Sequence, residues 1–423
     1  MLESILREVV MNHLIQEDLL SDKQYGFIGK RSTVTQLLHY IDQCCETMAQ
    51  GKVVDCVYFD FAKAFDTVPH RRLMKKLECY GIGGDLLGWI AAFLSDRKQL
   101  VKVNAAKSTI NPVVSGIPQG SVLGPLLFVI YINDLPEKVV SDLFLFADDT
   151  KILKTIDSVE DSLVVQDDIN ELEKWSQDWL LKFHPDKCHV LTIGKFSNIK
   201  HAHRYQLGGN ELEHVFEEKD LGVLIDSELT FEEHISKQVN KANSILGVIK
   251  RSFNDLSPSA FCTLYTTFVR PHLEYAQSVW QPKLRRNINL IEGVQRRATK
   301  SIPQYRNLPY GERLRRLQIP SLEFRRLFCD MVQIYKHIHI YDPKTTRNKL
   351  VKKTRPTRQH NYELIPNFSD DGVRGAQTKS FYYRSIPTWN TLSRYVVESK
   401  SIKSFKENLN EVWKKHPLRY LTY

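Results

Sequence analysis

Three aspartates carry most of the chemical information in this chain. Asp60 closes a short apolar run, Val53 to Phe59, while Asp148 and Asp149 interrupt a second one, between Leu143–Phe146 and Ile152–Leu153. Carboxylates that converge from separate elements can hold two divalent cations ~3.5–4 Å apart, one to activate an attacking hydroxyl and one to hold a triphosphate and its leaving group. Magnesium suits such a site, because it takes few carboxylates and fills its other positions with water and substrate oxygens. A lone Asp is ordinarily a turn former or a helix cap. Here the acids stand beside apolar runs, where a purely structural acid pair costs desolvation energy, and where three like charges at strand ends repel one another.

The elements that would position these acids can be read from periodicity. Val53 to Phe59 is short, β-branched and aromatic, hence a strand, and a helix from Phe61 to about Val68 follows it, closed by Pro69. Leu143 to Leu153 reads as a β-hairpin with two acids at its tip. Ser158-Val159-Glu160-Asp161 has the form of a capping box, opening a helix whose apolar face is Val165, Ile169, Leu172, Trp175, Trp179 and Phe183. Strands Cys188 to Ile193 and Leu221 to Ile225 complete four strands alternating with two helices, the pattern of a split βαβ, ferredoxin-like sheet. Upstream, Leu2, Ile5, Leu6, Val9, Val10, Leu14 and Ile15 recur at helical spacing, as do Val34, Leu37, Leu38 and Ile41, on either side of the polar break Gln24-Tyr25-Gly26-Phe27. Beyond about Phe231 the pattern is mostly helical, with a Lys-, Arg- and Thr-rich linker at Thr345 to Asn361, and there is no internal repeat.

Composition bounds the function. A chain of 423 residues, 42% apolar and 10% aromatic, has enough apolar material for two or three domains. Its net charge of +10 conceals an asymmetry: residues 1–240 hold 25 Lys plus Arg against 36 Asp plus Glu, net −11, whereas residues 241–423 hold 34 against 13, net +21. So basic a block, interleaved with Tyr, Phe and Trp, suits a track for a polyanion, with cations on phosphates and aromatics offering stacking surfaces. The longest apolar stretch, Leu126 to Ile132, is far short of the ~20 residues of a membrane span, and the N-terminus lacks a signal-peptide pattern, so a soluble, intracellular protein with no membrane partner is expected. Cys44, Cys45, Cys56, Cys79, Cys188, Cys262 and Cys329 form no C-x-x-C pair, which points to reduced, mostly buried thiols.

The residues also carry a resemblance. Asp60 to Asp66, DFAKAFD, resembles motif A of reverse transcriptases, Gly116 to Pro125, GIPQGSVLGP, resembles motif B, and Phe146 to Asp149, FADD, resembles motif C. Each motif alone is weak; the three in this order are a strong joint signal. Trp179-Leu180 and Phe183 to Cys188 resemble motif D, and Asp220 to Val223 resembles the primer-grip motif E. Leu20 to Phe27 with Arg31-Ser32-Thr33, together with Phe381 to Arg384 and Trp389-Asn390 near the end, are similar to the non-LTR, LINE-type retrotransposon group, in its jockey-like and chicken-repeat branches.

The resemblance implies an α+β right-hand polymerase: incomplete fingers and a ferredoxin-like palm over residues 1–229, a helical basic thumb over 230–344, and a linker with a C-terminal helical extension over 345–423. It implies two magnesium ions, with manganese as a substitute, held by Asp60, Asp148 and Asp149 with help from the Phe61 carbonyl, Asp149 in a supporting role. Phe65 would lie beneath the sugar and reject a 2′-hydroxyl, and Gln119 and Gly120 would lie along the incoming nucleotide and template. Lys187 would act as general acid for the departing pyrophosphate, and Leu221, Gly222 and Val223 would steady the primer 3′ end. The partners implied are an RNA template, a DNA primer or target, and deoxynucleoside triphosphates. His184 stands where many relatives have Asn. An upstream fingers strand with an Arg-Pro-Ile-Ser-like run and an apurinic-type endonuclease are not in this sequence, so an N-terminally truncated piece of a longer element protein is expected. The rival readings are an inactive relic or domesticated nucleic-acid-binding protein, and a two-metal nuclease of another fold. The nuclease leaves Phe65, Gly116 to Gly120 and Leu221 to Val223 without work.

Overall fold

The computed structural model describes residues 1–194, 203–253, 256–346, 350–352, 362–366 and 374–421. The chain divides into two compact units, Met1–Gln36 with Lys52–Phe216, and Leu37–Gly51 with Glu217–Tyr423.

Unit 1 opens with helix α1 (Leu2–Gln16), of which only Val10, Met11 and Leu14 are buried, while Leu2, Ile5, Val9 and Ile15 are exposed. Helix α2 (Thr33–Ala49) crosses the division between the units. The sheet of unit 1 is built from β1 (Val53–Phe59), β2 (Asp142–Phe146), β3 (Asp149–Ile156), β4 (His189–Ile193) and β5 (Glu213–Val215), in the order β5-β4-β1-β3-β2. Its first four strands, all antiparallel to their neighbours and ordered β4-β1-β3-β2, are the ferredoxin-like arrangement expected of a palm. β1 is central and buried along nearly its whole length, as its unbroken apolar run requires. Its one acid, Asp55, accepts from Thr192 Oγ1 at 2.7 Å and Tyr205 Oη at 2.6 Å, which satisfies a carboxylate that would otherwise be costly there.

Between β1 and β2 lie α3 (His70–Cys79), α4 (Gly84–Leu94) and the wholly apolar α5 (Gly124–Ile132), in which every residue but Pro125 is buried. Helix α6 (Val159–Asp178) starts at a true capping box, with Ser158 and Asp161 exchanging side-chain and backbone bonds. Val57 and Phe59 of β1, α5, and Val165, Ile169, Leu172 and Trp175 of α6 share one core, where each fully buried aliphatic side chain contributes about 1.5–3 kcal/mol.

Three sequence expectations need correction. No helix begins at Phe61: its backbone pairs with Phe183 as an extension of the sheet, Lys63 turns left-handed with φ +54°, and only Ala64–Thr67 is helical. Phe183 accordingly lies outside α6, which ends at Asp178, and stacks on Phe61 at 4.5 Å between ring centroids. The strand expected at Leu221 to Ile225 does not join the sheet; it forms a separate hairpin in unit 2.

Unit 2 begins with that hairpin, β6 (Glu217–Asp220) and β7 (Val223–Asp226), and continues through α7 (Glu232–Ser252), α8 (Arg285–Lys300), α9 (Leu322–His339), α10 (Phe381–Asn390) and α11 (Ile402–Val412). α7 buries Ile235, Val239, Ala242, Leu246 and Ile249 along one stripe, while Phe405 of α11 is sandwiched by Tyr335 of α9 and Trp389 of α10, at 4.3 and 5.9 Å between centroids. Of the expected linker Thr345 to Asn361, Leu350–Lys352 pairs with Leu364–Pro366, and 347–349 and 353–361 lie outside the described residues. No helix among the described residues is long and apolar enough to cross a membrane.

Candidate active site

Asp60 follows directly on β1, and its backbone is clamped from one side. His184 N donates to Asp60 O at 2.8 Å, Ala62 N donates to Lys182 O at 2.8 Å, and Cys188 Sγ accepts from Asp60 N at 3.5 Å. This pattern makes Phe61 and Phe183 a non-hydrogen-bonded antiparallel pair, so the Phe61 carbonyl is turned to the other edge, the one β1 shares with β3. Burial and the Asp60 charge push the Cys188 thiol up to about 11, which keeps it a neutral packing group.

The β2–β3 register pairs Phe146 with Asp149 and leaves Ala147-Asp148 as a two-residue loop, with Ala147 left-handed at φ +54°. A non-glycine residue holds that conformation only when its surroundings fix it. The fixing groups come from the segment around Gln24. Lys23 O accepts from Leu145 N at 2.9 Å and Tyr25 N donates to Leu145 O at 2.8 Å, so this segment adds a bridge to β2. The fully buried Gln24 then accepts from both Gly26 N, at 2.8 Å, and Ala147 N, at 3.0 Å, through Oε1. Gly26 must be glycine, because a Cβ there would stand 2.5 Å from Ala147 N.

Asp148 and Asp60 interact across this edge. Burial first, and then repulsion from Asp60, raise the Asp148 carboxyl above its usual range. Asp60 Oδ2 is buried without an aligned hydrogen-bond donor, although Lys187 Nζ lies 3.1 Å from it as an ion-pair partner. Asp149 begins β3 and is exposed. Among the described residues no three His, Cys, Asp or Glu side chains are grouped so as to hold a metal ion. The pair Asp60 and Asp148 nonetheless fits a divalent cation: one carboxylate oxygen met only by the Lys187 ion pair and one carboxyl disfavoured by burial and by its neighbour's charge are what a cation would relieve.

The motif B loop is stitched to the turn after Asp60. Gly116 N donates to Val68 O at 2.8 Å and Ile117 N to Phe65 O at 2.7 Å, while Gln119 Nε2 donates to Asp66 Oδ1 at 2.9 Å. Gly116 has φ +91°, and a Cβ on it would stand 2.6 Å from Asp66 O. Phe65 is half-buried and stacks on Phe128 of α5 at 4.4 Å. Gly120, with φ +80°, is exposed. Beside this loop opens a cleft of about 660 Å³ walled by Lys63, Asp66, Arg97, Lys98 and Gln119.

Leu221 and Gly222 form the two-residue turn between β6 and β7, with φ +45° and +85°, as the primed turns of tight hairpins demand. Tyr275 Oη donates to Leu221 O at 2.8 Å and covers Gly222. Val223 and Ile225 are buried, and His234 Nδ1 accepts from Leu224 N at 3.1 Å. This hairpin belongs to unit 2.

Residues 2–249 match the profile of the family described as reverse transcriptase (RNA-dependent DNA polymerase). The chain belongs to the reverse transcriptase family. Its relatives include the RNA-directed DNA polymerase from mobile element jockey of Drosophila funebris, 27% identical over 71% of this chain and 34% of that protein. Another is the probable RNA-directed DNA polymerase from transposon BS of Drosophila melanogaster, 25% identical over 84% of this chain and 40% of that one. These are non-LTR retrotransposon polymerases, and the chain spans about a third of the length of the curated relatives it matches. Among solved structures, telomerase from Candida albicans in complex with a fragment of telomeric RNA aligns with a TM-score of 0.42 at 12% identity, over 72% of this chain and 56% of that one.

Sequence reasoning missed the groups that brace these segments: Gln24, Gly26, Asp66 and Cys188 in unit 1, and Tyr275 in unit 2. Gln24 and Gly26 stand in a polar run that sequence reading treats as a break, and a buried, doubly accepting glutamine has no signature along the chain. Asp66 is the second acid of DFAKAFD, six residues after the first, and that spacing was the available signal.

Proposed function

We propose that this chain is an RNA-directed DNA polymerase core, extending a primer 3′-hydroxyl with deoxynucleoside triphosphates on an RNA template. The observation that carries the reading is the meeting of Asp60 and Asp148, from a strand end and a hairpin tip, with Lys187 on Asp60. Two magnesium ions, or manganese, would be held by Asp60, Asp148 and the Phe61 carbonyl with Asp149 in support; when bound they would supply charge neutralisation at the transferring phosphoryl group and a more acidic 3′-hydroxyl. Asp60 and Asp148 orient that site, and Lys187 stands ready to neutralise and protonate the pyrophosphate as it leaves. Phe65, steadied by Phe128, presents a flat face to the nucleotide sugar. Gln119 and Gly120 lie on the motif B loop, where glycine admits a close backbone approach by nucleotide or template. Leu221, Gly222 and Val223 serve as the primer grip. The fingers and palm cover residues 1–229, the thumb 230–344 and the extension 345–423. A basic C-terminal half holds the RNA–DNA duplex by backbone and shape.

The test is deoxynucleotide incorporation by the purified chain on a primed RNA template with magnesium, beside an Asp148→Asn, Asp149→Asn control. Incorporation that disappears in the control supports the reading; equal incorporation by both removes these acids from the chemistry.

A further inference from the structure

Unit 2 contains a second concavity, of about 560 Å³, lined by Lys250, Arg297, Lys300, Ser301, Pro303 and Arg306. It lies where the last turn of α7 meets the last turn of α8 and the short 3-10 turn Pro303–Tyr305. Among the described residues four cations line it and no acid does. Elsewhere in the same unit Arg270, Arg285, Arg286, Arg315, Arg316, Arg325 and Arg384 each face a carboxylate within ion-pair distance. Among the described residues Lys250, Arg297, Lys300 and Arg306 have no such partner.

A plainer explanation exists for part of this: cations at helix C-termini complement the helix dipole. It falls short in magnitude. Two helix ends supply roughly half a negative charge each, against four full positive charges, so about three remain uncompensated. The arrangement is also held in place by a neutral group. Arg297 donates through Nε and Nη2 to Asn243 Oδ1, at 3.3 and 3.0 Å. Lys250 is lowered from the ordinary lysine value chiefly by burial and secondarily by the neighbouring Arg297.

Resting on the proposed reading that the basic C-terminal half holds nucleic acid, we propose that this pocket is a phosphate-binding site of the helical unit whose ligand is a backbone phosphate of a bound nucleic acid. Lysine ammoniums and a planar guanidinium are the donors a phosphate takes, and the Ser301 hydroxyl, already donating to Ala298 O at 2.6 Å, adds a polar wall. A free polyphosphate offers the same chemistry, and the experiment separates the two.

The chain carrying Asp148→Asn is used throughout, so that failure of the polymerase reading leaves the binding measurement intact. Its affinity for a fluorescent RNA–DNA duplex is measured against KCl concentration and compared with a Lys250→Gln, Lys300→Gln form and with an Arg297→Gln, Arg306→Gln form. An Arg315→Gln, Arg316→Gln form loses the same net charge from residues paired with Glu312, and thermal melting checks that every form folds. Removing one cation that neutralises a phosphate should flatten the log–log salt slope by roughly 0.7–0.9. The expected result is a slope about 1–2 smaller for both pocket variants, with affinity weakened about 3–30-fold near 0.1 M salt, and a smaller change for the paired control. Binding of tripolyphosphate that is lost in the pocket variants while duplex slopes stay equal would overturn the nucleic-acid assignment in favour of a free polyphosphate. Equal behaviour of pocket and control variants toward both probes would overturn the site.

Discussion

Lys187 Nζ lies 3.1 Å from Asp60 Oδ2, with both side chains partly exposed. The ammonium thus occupies a carboxylate oxygen that a cation would claim, and the two uses conflict until substrate arrives. Lys187→Gln should leave Mn2+ binding equal or tighter, since a competing charge is gone. It should also lower the rate of incorporation about 10²-fold, the ordinary size of a general-acid contribution. Titration of Mn2+ with single-turnover kinetics over a pH series reads both. Unchanged turnover, with the alkaline limb of the pH–rate profile retained, would return Lys187 to the role of a surface ion pair.

Asp148 presents a conflict between stability and use. Its carboxyl is raised above 3.8 by burial and by Asp60, so the folded chain keeps this proton to a higher pH than the unfolded chain does. In that window the unfolded state has fewer protons, and stability falls as pH rises through it. Asp148→Asn removes the charge at all pH values. It should therefore melt higher at pH 7 without metal, while incorporation falls on the order of 10³-fold. The wild type should gain thermal stability on adding magnesium and the variant should not. A variant that melts lower without metal would show Asp148 to be compensated by groups other than a cation.

Phe65 stacks on Phe128 and is only half-buried, so one face supports the core and the other is open. Phe65→Ala should cost about 1–2 kcal/mol, below the range for a fully buried ring. It should also raise the use of ribonucleotides relative to deoxynucleotides in competition assays. A loss of stability with the sugar preference unchanged would assign Phe65 to packing alone.

What could be read along the chain was what depends on local pattern. The strand before Asp60, the acid-tipped hairpin and the Ser158 capping box are each specified by a few neighbouring residues, and each is present. The errors came where a distant partner decided the conformation. Phe61 has a helix-like context but pairs with Phe183, 122 positions away, and Val223 to Ile225 is a sound strand whose alternation cannot say which sheet it joins. Gln24 is the clearest case, a polar residue in an apparent break that is fully buried because the Ala147 turn needs an acceptor.

That dependence makes the Gln24 brace testable. Gln24→Leu leaves the Gly26 and Ala147 N–H groups without their acceptor, and each buried donor left unpaired costs about 1–3 kcal/mol. Gly26→Ala instead places a methyl 2.5 Å from Ala147 N and forces the hairpin tip to move. Both should reduce incorporation at least tenfold with little change in duplex affinity, because neither touches nucleic acid. Amide exchange at Ala147 should rise in Gln24→Leu. Slow exchange and normal turnover in both variants would show that the Asp148 loop is held by its own strands.

His234 ties the β6–β7 hairpin to acid stability. It is buried against Trp280, its Nδ1 accepts from Leu224 N, and burial lowers it from 6.5 to about 4. Between these values the unfolded chain binds a proton here and the folded chain does not, so this contribution to stability is present above pH 6.5 and is lost as pH falls toward 4. His337, buried on α9 and likewise lowered to about 4, adds a loss of the same sign. Acidification from pH 7 to 5 should thus destabilise the wild type by at most about 2 kcal/mol for each histidine. His234→Gln, which keeps an acceptor for Leu224 N but cannot be protonated, should remove about half of that loss. Urea unfolding at the two pH values measures it, and salt-matched primer-extension assays at pH 6 should show the variant retaining more activity than the wild type. An identical pH dependence in both proteins would mean that His234 titrates normally and that the hairpin is insensitive to it.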